Sequence, residues 1–519
     1  METLEVQRVR GTLDAPPPDD GRLRALAGTL RDYFELSGYR GIDTPVIENL
    51  DLFLRKSGEE IAARMYAFTH WNRKLCLRPE FTASIMRAYV NQLQDRPLPV
   101  RVHYAGPTFR YEKPQRGRYR QFTQVGLECV GGAGPATDAE VLAAACGALE
   151  AVGLRRYRLV VGHLGAVLQL LEQLGIEEHG QALILNNMEN LARRRADPSE
   201  VVGRVLAMMG FGGDRANDEH TDDGADSENG EPSLLPTLLA EFGSEGAAHL
   251  AGDLLGRANL VLEGGSRSAE EIVSRLVTKA GRLDPSDRVR QAAEFIVKLH
   301  TIAGPADEAF GALDRLLADH NLDRAPLREI ERSLGLLGAY GVSPSEVTVD
   351  LSLGRGLRYY TGLVFELHHE GSPGLTSQVG GGGRYDDLVR ALGGRDGVPA
   401  CGFSFGLERL RLALEAEGIA EPAQPVVDVL VVPLTPDDEH YAARCAGRLR
   451  NAGLGVELDV RQRGVRANLR HADREGIVLA VIVGERERDQ GHVMLRDMRT
   501  REEVDIDVAD LPDAARGRL

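Results

Sequence analysis

The chain is poor in cysteine and lacks long apolar runs and a positive net charge. Its five cysteines (Cys76, Cys129, Cys146, Cys401 and Cys445) are odd in number, scattered, and include no CxxC pair. That argues against a disulfide framework or a structural zinc site, and predicts small buried hydrophobes instead. No run of 18 apolar residues occurs, so no membrane-spanning helix is expected. The first twenty residues, METLEVQRVRGTLDAPPPDD, hold no apolar signal-peptide core, which points to a cytoplasmic location. The formal net charge of −16 over 519 residues speaks against a surface coated for nucleic acid, and no DNA partner is expected. No internal repeat is present. At this length, two or three domains are expected.

Against that acidic background one stretch stands out. FRYEKPQRGRYRQF (109–122) holds Arg110, Lys113, Arg116, Arg118 and Arg120 with a single acid, Glu112. The flanking PLPVRVHYA (97–105) and FTQVGLECV (122–130) read as strands, so the cations sit on a hairpin. Before them, GRLRALAGTLRDYFELSG (21–38) has helical spacing and stops at Gly38, and GYRGIDTPVIE reads as a strand. TDAEVLAAACGALEAVGL (137–154) is expected to open as a helix on Thr137, with Glu140 completing a capping box. RRYRLVVGHL is a further strand.

Residues 165–340 are mainly helical in pattern. The acidic stretch 213–232, with eight acids and no large aliphatic residue, is expected to be a disordered loop. Strands resume at 347–369 and again in QVGGGGRYDDL and ACGFSFG. After a linker at 419–426, VVDVLVVPL and IVLAVIVG are near-continuous apolar strands separated by helices. That texture predicts a small α/β domain with a mainly parallel sheet.

Five stretches carry Arg or carboxylate in expected sheet positions: LRPEFTA (77–83), FRYEKPQRGRYRQFTQ (109–124), GLE (126–128), GRGLRYYTG (354–362) and GGGGRYDDL with FGLERL (380–410). Burying such charges is costly unless they are paired or face a ligand. Arg is a permanently charged planar fork suited to phosphate and carboxylate. Arg110, Arg355 and Arg409 therefore form a candidate triphosphate clamp. Glu80, Thr82, Gln124, Glu128, Tyr359 and Tyr360 could take a small polar cation. GGGGRYDD is neither a P-loop nor a dinucleotide fingerprint, since no GK[ST] and no framing βαβ unit accompany it. Its glycines point to tight turns or close backbone approach.

These stretches, in this order, resemble the histidyl-tRNA synthetase family of class II aminoacyl-tRNA synthetases. FRYEKPQRGRYRQF resembles the second class II motif, GRGLRYYTGLVFE and GGGRYDDL the two histidine signatures, and PACGFSFGLERL the third motif. LRPEFTA resembles the family's LRPE-x-T segment, and GYRGIDTPVIE, with Pro45, the first motif, which in this class builds a dimer interface. The chain beyond 426 resembles the anticodon-binding domain. The resemblance implies an α+β fold: an antiparallel class II sheet with helices and a helical insertion, plus a C-terminal α/β domain. It implies a partition into 1–165, 166–340, 341–418 and 426–519.

It further implies a homodimer that binds L-histidine, ATP with its Mg²⁺, and tRNA(His), and needs no metal site of its own. Arg110 and Arg355 would act at the α-phosphate. Glu112, Arg118 and Arg409 would hold ATP. Glu80, Tyr359 and Tyr360 would read the imidazole, while Thr82, Gln124, Glu128 and Arg355 would hold the rest of histidine. Four features depart from the family pattern: Arg358 stands where Asp is usual, Thr123 where His is frequent, Phe81 where Gly is common, and SGEEIAARMYAF replaces a GTD-type segment. VVGHLGAVLQLLEQLG (160–175) looks more like a paralogue, the regulatory subunit of ATP phosphoribosyltransferase, which binds histidine without aminoacylation. That is the rival reading. RQRGVRANLRHADREG (461–476), with five arginines, is either a solvated helix face or a contact for anticodon-stem phosphates.

Overall fold

The computed structural model describes residues 7–54, 64–192, 285–343, 347–354, 359–372, 377–419 and 427–519. The acidic stretch 213–232, Arg355, Arg358, the segment 55–63 and linker residues 420–426 lie outside the described residues. The chain divides into two compact units, Met1–Leu13 with Ala27–Ile419, and Asp14–Leu26 with Ala420–Leu519.

The strands of the first unit are, in chain order, β1 (Arg40–Gly41), β2 (Ile47–Asn49), β3 (Ala67–His70), β4 (Arg73–Leu77), β5 (Val100–Phe109), β6 (Gln121–Val130), β7 (Tyr157–His163), β8 (Gly304–Pro305), β9 (Val347–Val349), β10 (Leu363–His369), β11 (Gln378–Arg384) and β12 (Ala400–Gly406). β2, β4 and β3 make a small sheet of their own. The others form one sheet in the order β1-β5-β6-β12-β11-β10-β7-β9-β8. From β5 across to β7 every neighbouring pair is antiparallel, while β1 joins β5 and β9 joins β7 in parallel. The expected basic hairpin is β5–β6, paired from Val100 opposite Val130 to Phe109 opposite Gln121. Its loop is closed by an isolated bridge between Gln115 and Arg118 around Gly117, whose φ of +71° suits glycine.

The four consecutive glycines of β11 lie inside the sheet rather than in a turn. A Cβ on Gly380 would stand 2.5 Å from the Phe405 ring, and one on Gly383 2.6 Å from the Leu363 carbonyl. One on Gly382 would clash outright with the Gly402 carbonyl. Close backbone approach, not turn geometry, is what the run supplies. Because the Gly382 obstacle is backbone, Gly382→Ala should destabilise the first unit by about 1–3 kcal/mol. A lower melting temperature by circular dichroism checks it; an unchanged melt would mean the sheet yields freely there.

Helix α1 (Asp19–Leu36) ends just before Gly38, at φ +85°, as its sequence predicts. Helix α2 (Thr82–Ala88) follows LRPEF directly. Helix α3 (Gly134–Ala151) starts three residues earlier than the expected Thr137. Pro135 lies in its first turn, where a missing N–H costs nothing, so the helix begins there and Thr137 falls inside it. The capping box does not form. Glu140 instead takes the guanidinium of Arg101 at 2.7 and 2.9 Å and the hydroxyl of Tyr39 at 3.1 Å. All five cysteines are free and buried, as expected of small hydrophobes.

The second unit holds β13 (Val429–Pro433), β14 (Val456–Leu458), β15 (Leu479–Val483), β16 (His492–Asp497) and β17 (Glu503–Asp507), in the order β14-β13-β15-β16-β17. β13 is fully buried because both faces are covered. Val429 and Val431 pack with Cys445 and Leu449 of the helix Glu439–Asn451, and Leu430 and Val432 with Ala472 of the helix Val465–Glu475. The expected parallel arrangement holds for β14, β13 and β15. β16 and β17 return antiparallel, and β17 alternates exposed with half-buried positions, the pattern of a strand wet on one face. Of the five arginines at 461–476, Arg461, Arg466, Arg470 and Arg474 are exposed, while Arg463 pairs with Asp459 at 3.1 Å.

Candidate active site

Three neighbouring antiparallel strands, β6, β12 and β11, with the β5–β6 loop, enclose a cavity of about 270 Å³. Arg110, Glu112, Arg118, Gln124 and Arg409 line it, together with Gly380, Gly381 and Ser404. Arg409 reaches it from the first turn of the helix Leu407–Ala416. Its Nε donates to the Gly117 carbonyl at 3.0 Å and its Nη1 to the Gln378 carbonyl at 3.1 Å, so the hairpin tip and β11 fix it. Burial, then the neighbouring Arg118 and Arg110 charges, push its pKa down. The Nε of Arg110 donates to the Pro79 carbonyl at 2.8 Å, and its guanidinium lies 5.4 Å from the Phe122 ring centre.

Neither Arg110 nor Arg409 has a carboxylate within 4 Å among the described residues. Glu112 differs. It accepts a hydrogen bond from Arg118 and stands 3.7 Å from Arg64. Burial would raise its carboxyl, but Arg118, Arg110 and Arg64 together hold it below the ordinary range. Glu112 and Arg118 thus brace each other inside the loop.

A second cluster is acidic. Glu80 and Glu128 are 3% and 0% exposed, and neither has a basic side chain within 4 Å among the described residues. Glu80 accepts the Ala83 amide at 3.1 Å, at the opening of α2. Glu128 accepts the Thr82 hydroxyl at 2.7 Å and that of Tyr385, with the Tyr104 hydroxyl 3.4 Å away. Burial pushes both carboxyls up; the Ala83 amide and the Arg110 charge offset part of this for Glu80, and the Glu80 charge adds to it for Glu128. Tyr359 and Tyr360 lie beside them, ring centres 5.0 Å apart, and both acids act on the Tyr359 hydroxyl. In the first cavity, Gln124 Nε2 donates to Ser404 Oγ at 3.1 Å, while its buried Oε1 has no partner among the described residues.

The structure therefore gathers Arg110, Glu112, Arg118, Gln124 and Arg409 in one cavity and Glu80, Thr82, Glu128, Tyr359 and Tyr360 in an adjoining cluster. Arg355 lies outside the described residues. Sequence reasoning passed over Tyr104, Tyr385 and Ser404. Tyr104 and Ser404 are ordinary strand residues by pattern and Tyr385 directly follows β11, and only the strand order shows which side chain each meets. Gly402 was another omission. It faces Glu128 across β12 and β6, and a Cβ there would clash with the Glu128 carboxylate. A row of cations beside two buried acids with no basic side chain within 4 Å among the described residues suits a ligand with an anionic and a cationic end.

Comparison with known proteins identifies the family. Residues 11–198 and 248–410 match the histidyl-tRNA synthetase family, and residues 428–518 match the anticodon binding domain. The chain is 32% identical to the histidine–tRNA ligase of Methanosarcina acetivorans, over 99% of this chain and 100% of that protein. It is 31% identical to the histidine–tRNA ligase of Pyrococcus horikoshii, over 99% of each. Its structure is similar to that of apo histidyl-tRNA synthetase from S. aureus, with a TM-score of 0.62 at 25% identity, covering 98% of this chain and 99% of the other. On the extent of these matches and on its paired catalytic and anticodon-binding regions, the chain belongs to the histidyl-tRNA synthetase family.

Proposed function

We infer that the chain is a histidine–tRNA ligase. It joins L-histidine to ATP, releasing pyrophosphate, and passes the histidyl group from the adenylate to the terminal ribose hydroxyl of tRNA(His), releasing AMP. The observation that carries the site assignment is the juxtaposition of Arg110 and Arg409, without carboxylate partners, and Glu80 and Glu128, without cationic ones, among the described residues. ATP with its Mg²⁺ answers the first pair, and the histidine side chain and ammonium answer the second.

In this reading the histidine carboxylate oxygen attacks the α-phosphorus as the bond to the pyrophosphate oxygen breaks. The step needs alignment and charge neutralisation more than proton transfer. Arg110 spans the α-phosphate and the attacking carboxylate, Arg409 holds the far phosphates, and Glu112 with Arg118 shapes the loop over the nucleotide. Arg355 takes a second position at the α-phosphate, a role that rests on the family resemblance. Glu80 and Tyr360 read the imidazole, with Tyr359 beside it. Thr82, Glu128 and the unpartnered Oε1 of Gln124 hold the ammonium and its surroundings. A site that hydrogen-bonds both imidazole nitrogens discriminates strongly against side chains that lack them.

The exposed arginines of the helix Val465–Glu475 supply a phosphate-facing stripe for the anticodon stem. The working form is a cytoplasmic homodimer, with 166–340 inserted between the two parts of the catalytic region. No helix among the described residues is long and apolar enough to cross a membrane. Histidine-dependent exchange of pyrophosphate into ATP, absent with other amino acids, is the expected result on purified protein with Mg²⁺. Histidine binding without exchange would overturn the ligase reading and leave a histidine sensor.

A further inference from the structure

Arg78 and Phe81 belong to none of the roles above, yet both are 1% exposed. Arg78 has no carboxylate within 4 Å among the described residues. It is held by carbonyls instead: its Nε donates to Pro107 O at 2.9 Å and its Nη1 to Thr44 O at 2.5 Å. Its guanidinium carbon lies 3.8 Å from the centre of the Phe81 ring. Tyr104 stacks on the same ring, centres 4.4 Å apart and planes 20° from parallel. At those distances the guanidinium and the phenol cannot share one face, so Phe81 is sandwiched between them. Gly106 makes room for the sandwich: a Cβ there would stand 2.8 Å from Arg78 Nη2 and 3.0 Å from Phe81 Cζ.

The stack reaches the amino-acid cluster by two routes. Phe81 lies between Glu80 and Thr82 in the chain, and the far end of Tyr104 is the hydroxyl 3.4 Å from Glu128. Burial, then Glu128 and Glu80, push the pKa of that hydroxyl well up, so it keeps its proton and can donate to the carboxylate or to the Phe403 carbonyl 3.5 Å away. The backbone of Arg78 meanwhile accepts the Phe109 amide at 3.0 Å, one residue before Arg110. We propose that Arg78 and Phe81 are positioning residues for the histidine pocket: the Arg78–Phe81–Tyr104 stack sets the spacing of Glu80, Thr82 and Glu128. The proposal rests on the ligase reading. Neither residue touches substrate.

The test is steady-state pyrophosphate exchange by Phe81→Leu, which stays apolar but loses the ring, by Arg78→Lys, and by the two together. Each single change should raise KM for histidine about tenfold, the worth of a lost aromatic or cation–π contact. KM for ATP should stay within about twofold, because Arg409, which holds the far phosphates in this reading, is anchored on the Gly117 and Gln378 carbonyls. The double change should add little to the worse single one, since both break the same stack. If Phe81→Leu does not fold, Arg78→Lys carries the same readout. Unmoved histidine KM, equal movement of both KM values, or strictly additive effects would overturn the stack. Lack of exchange by the unaltered chain would overturn the ligase reading itself, and the pocket role with it.

Discussion

Arg110→Met is expected to cut the rate of histidine-dependent pyrophosphate exchange about 10³-fold, the upper range for removing one fixed transition-state donor. The reason lies in where Arg110 stands. It lines the cavity with Arg409 and Arg118, and its charge is felt both by Arg409 and by the buried Glu80. Only its Nε is used by the fold, on the Pro79 carbonyl, and that leaves the two terminal nitrogens without a hydrogen-bond partner among the described residues. In-line attack on an α-phosphate gathers negative charge between the carboxylate and the phosphoryl oxygens, and a fork already fixed there needs no reorganisation to meet it. Met keeps much of the length and the apolar stem, so the loss should fall on kcat, with KM for ATP changing far less. In the proposed reading Arg409 would still hold the nucleotide. Exchange retained within tenfold of the unaltered enzyme would sink the assignment.

Much of this site could be read from the chain because its parts are local. The hairpin of β5 and β6 announces itself through two apolar strands around a loop of cations. The C-terminal α/β unit was legible for a similar reason: VLVVP has no polar face to expose, so both faces must be covered. What the chain hides is pairing between distant segments. That β12 lies between β6 and β11 places Gly402 against Glu128 and Tyr385 on its carboxylate, though the residues concerned are hundreds of positions apart. Thr137 misled because two start signals compete, and Pro135 in the first turn prevailed. The antiparallel return of β16 and β17 is likewise set by pairing rather than by local pattern. Phe81, a departure from the family pattern, is taken up between Arg78 and Tyr104.

Glu128→Gln should separate stability from function. The carboxyl is fully buried, and burial together with the nearby Glu80 charge pushes its pKa well above the ordinary value. Its partners are hydroxyls of Thr82 and Tyr385, which can rotate to serve an amide as readily as a carboxylate. The substitution therefore removes a carboxyl that must take up a proton on folding or stay charged with no cation within 4 Å among the described residues, and above the ordinary carboxylate range the ligand-free protein should melt higher. The sign with pH follows from linkage. A carboxyl whose folded pKa is raised takes up a proton on folding. The stability this brings is present below the unfolded pKa and is lost as pH rises through the folded one. Gln has no such loss, so the advantage of the variant should be small in acid and widen upward from the ordinary carboxylate range. Function should move the opposite way. With the negative end of the charge pair gone, the affinity for histidine should fall about 100-fold, a typical cost for truncating one partner of a buried ion pair. Histidine, which should raise the melting temperature of the unaltered chain, should then leave that of the variant nearly unmoved at the same concentration. Thermal melts across pH, with and without histidine, read both halves. A variant that melts lower than the unaltered chain at every pH, or that histidine stabilises equally, would show that Glu128 serves the fold rather than the substrate.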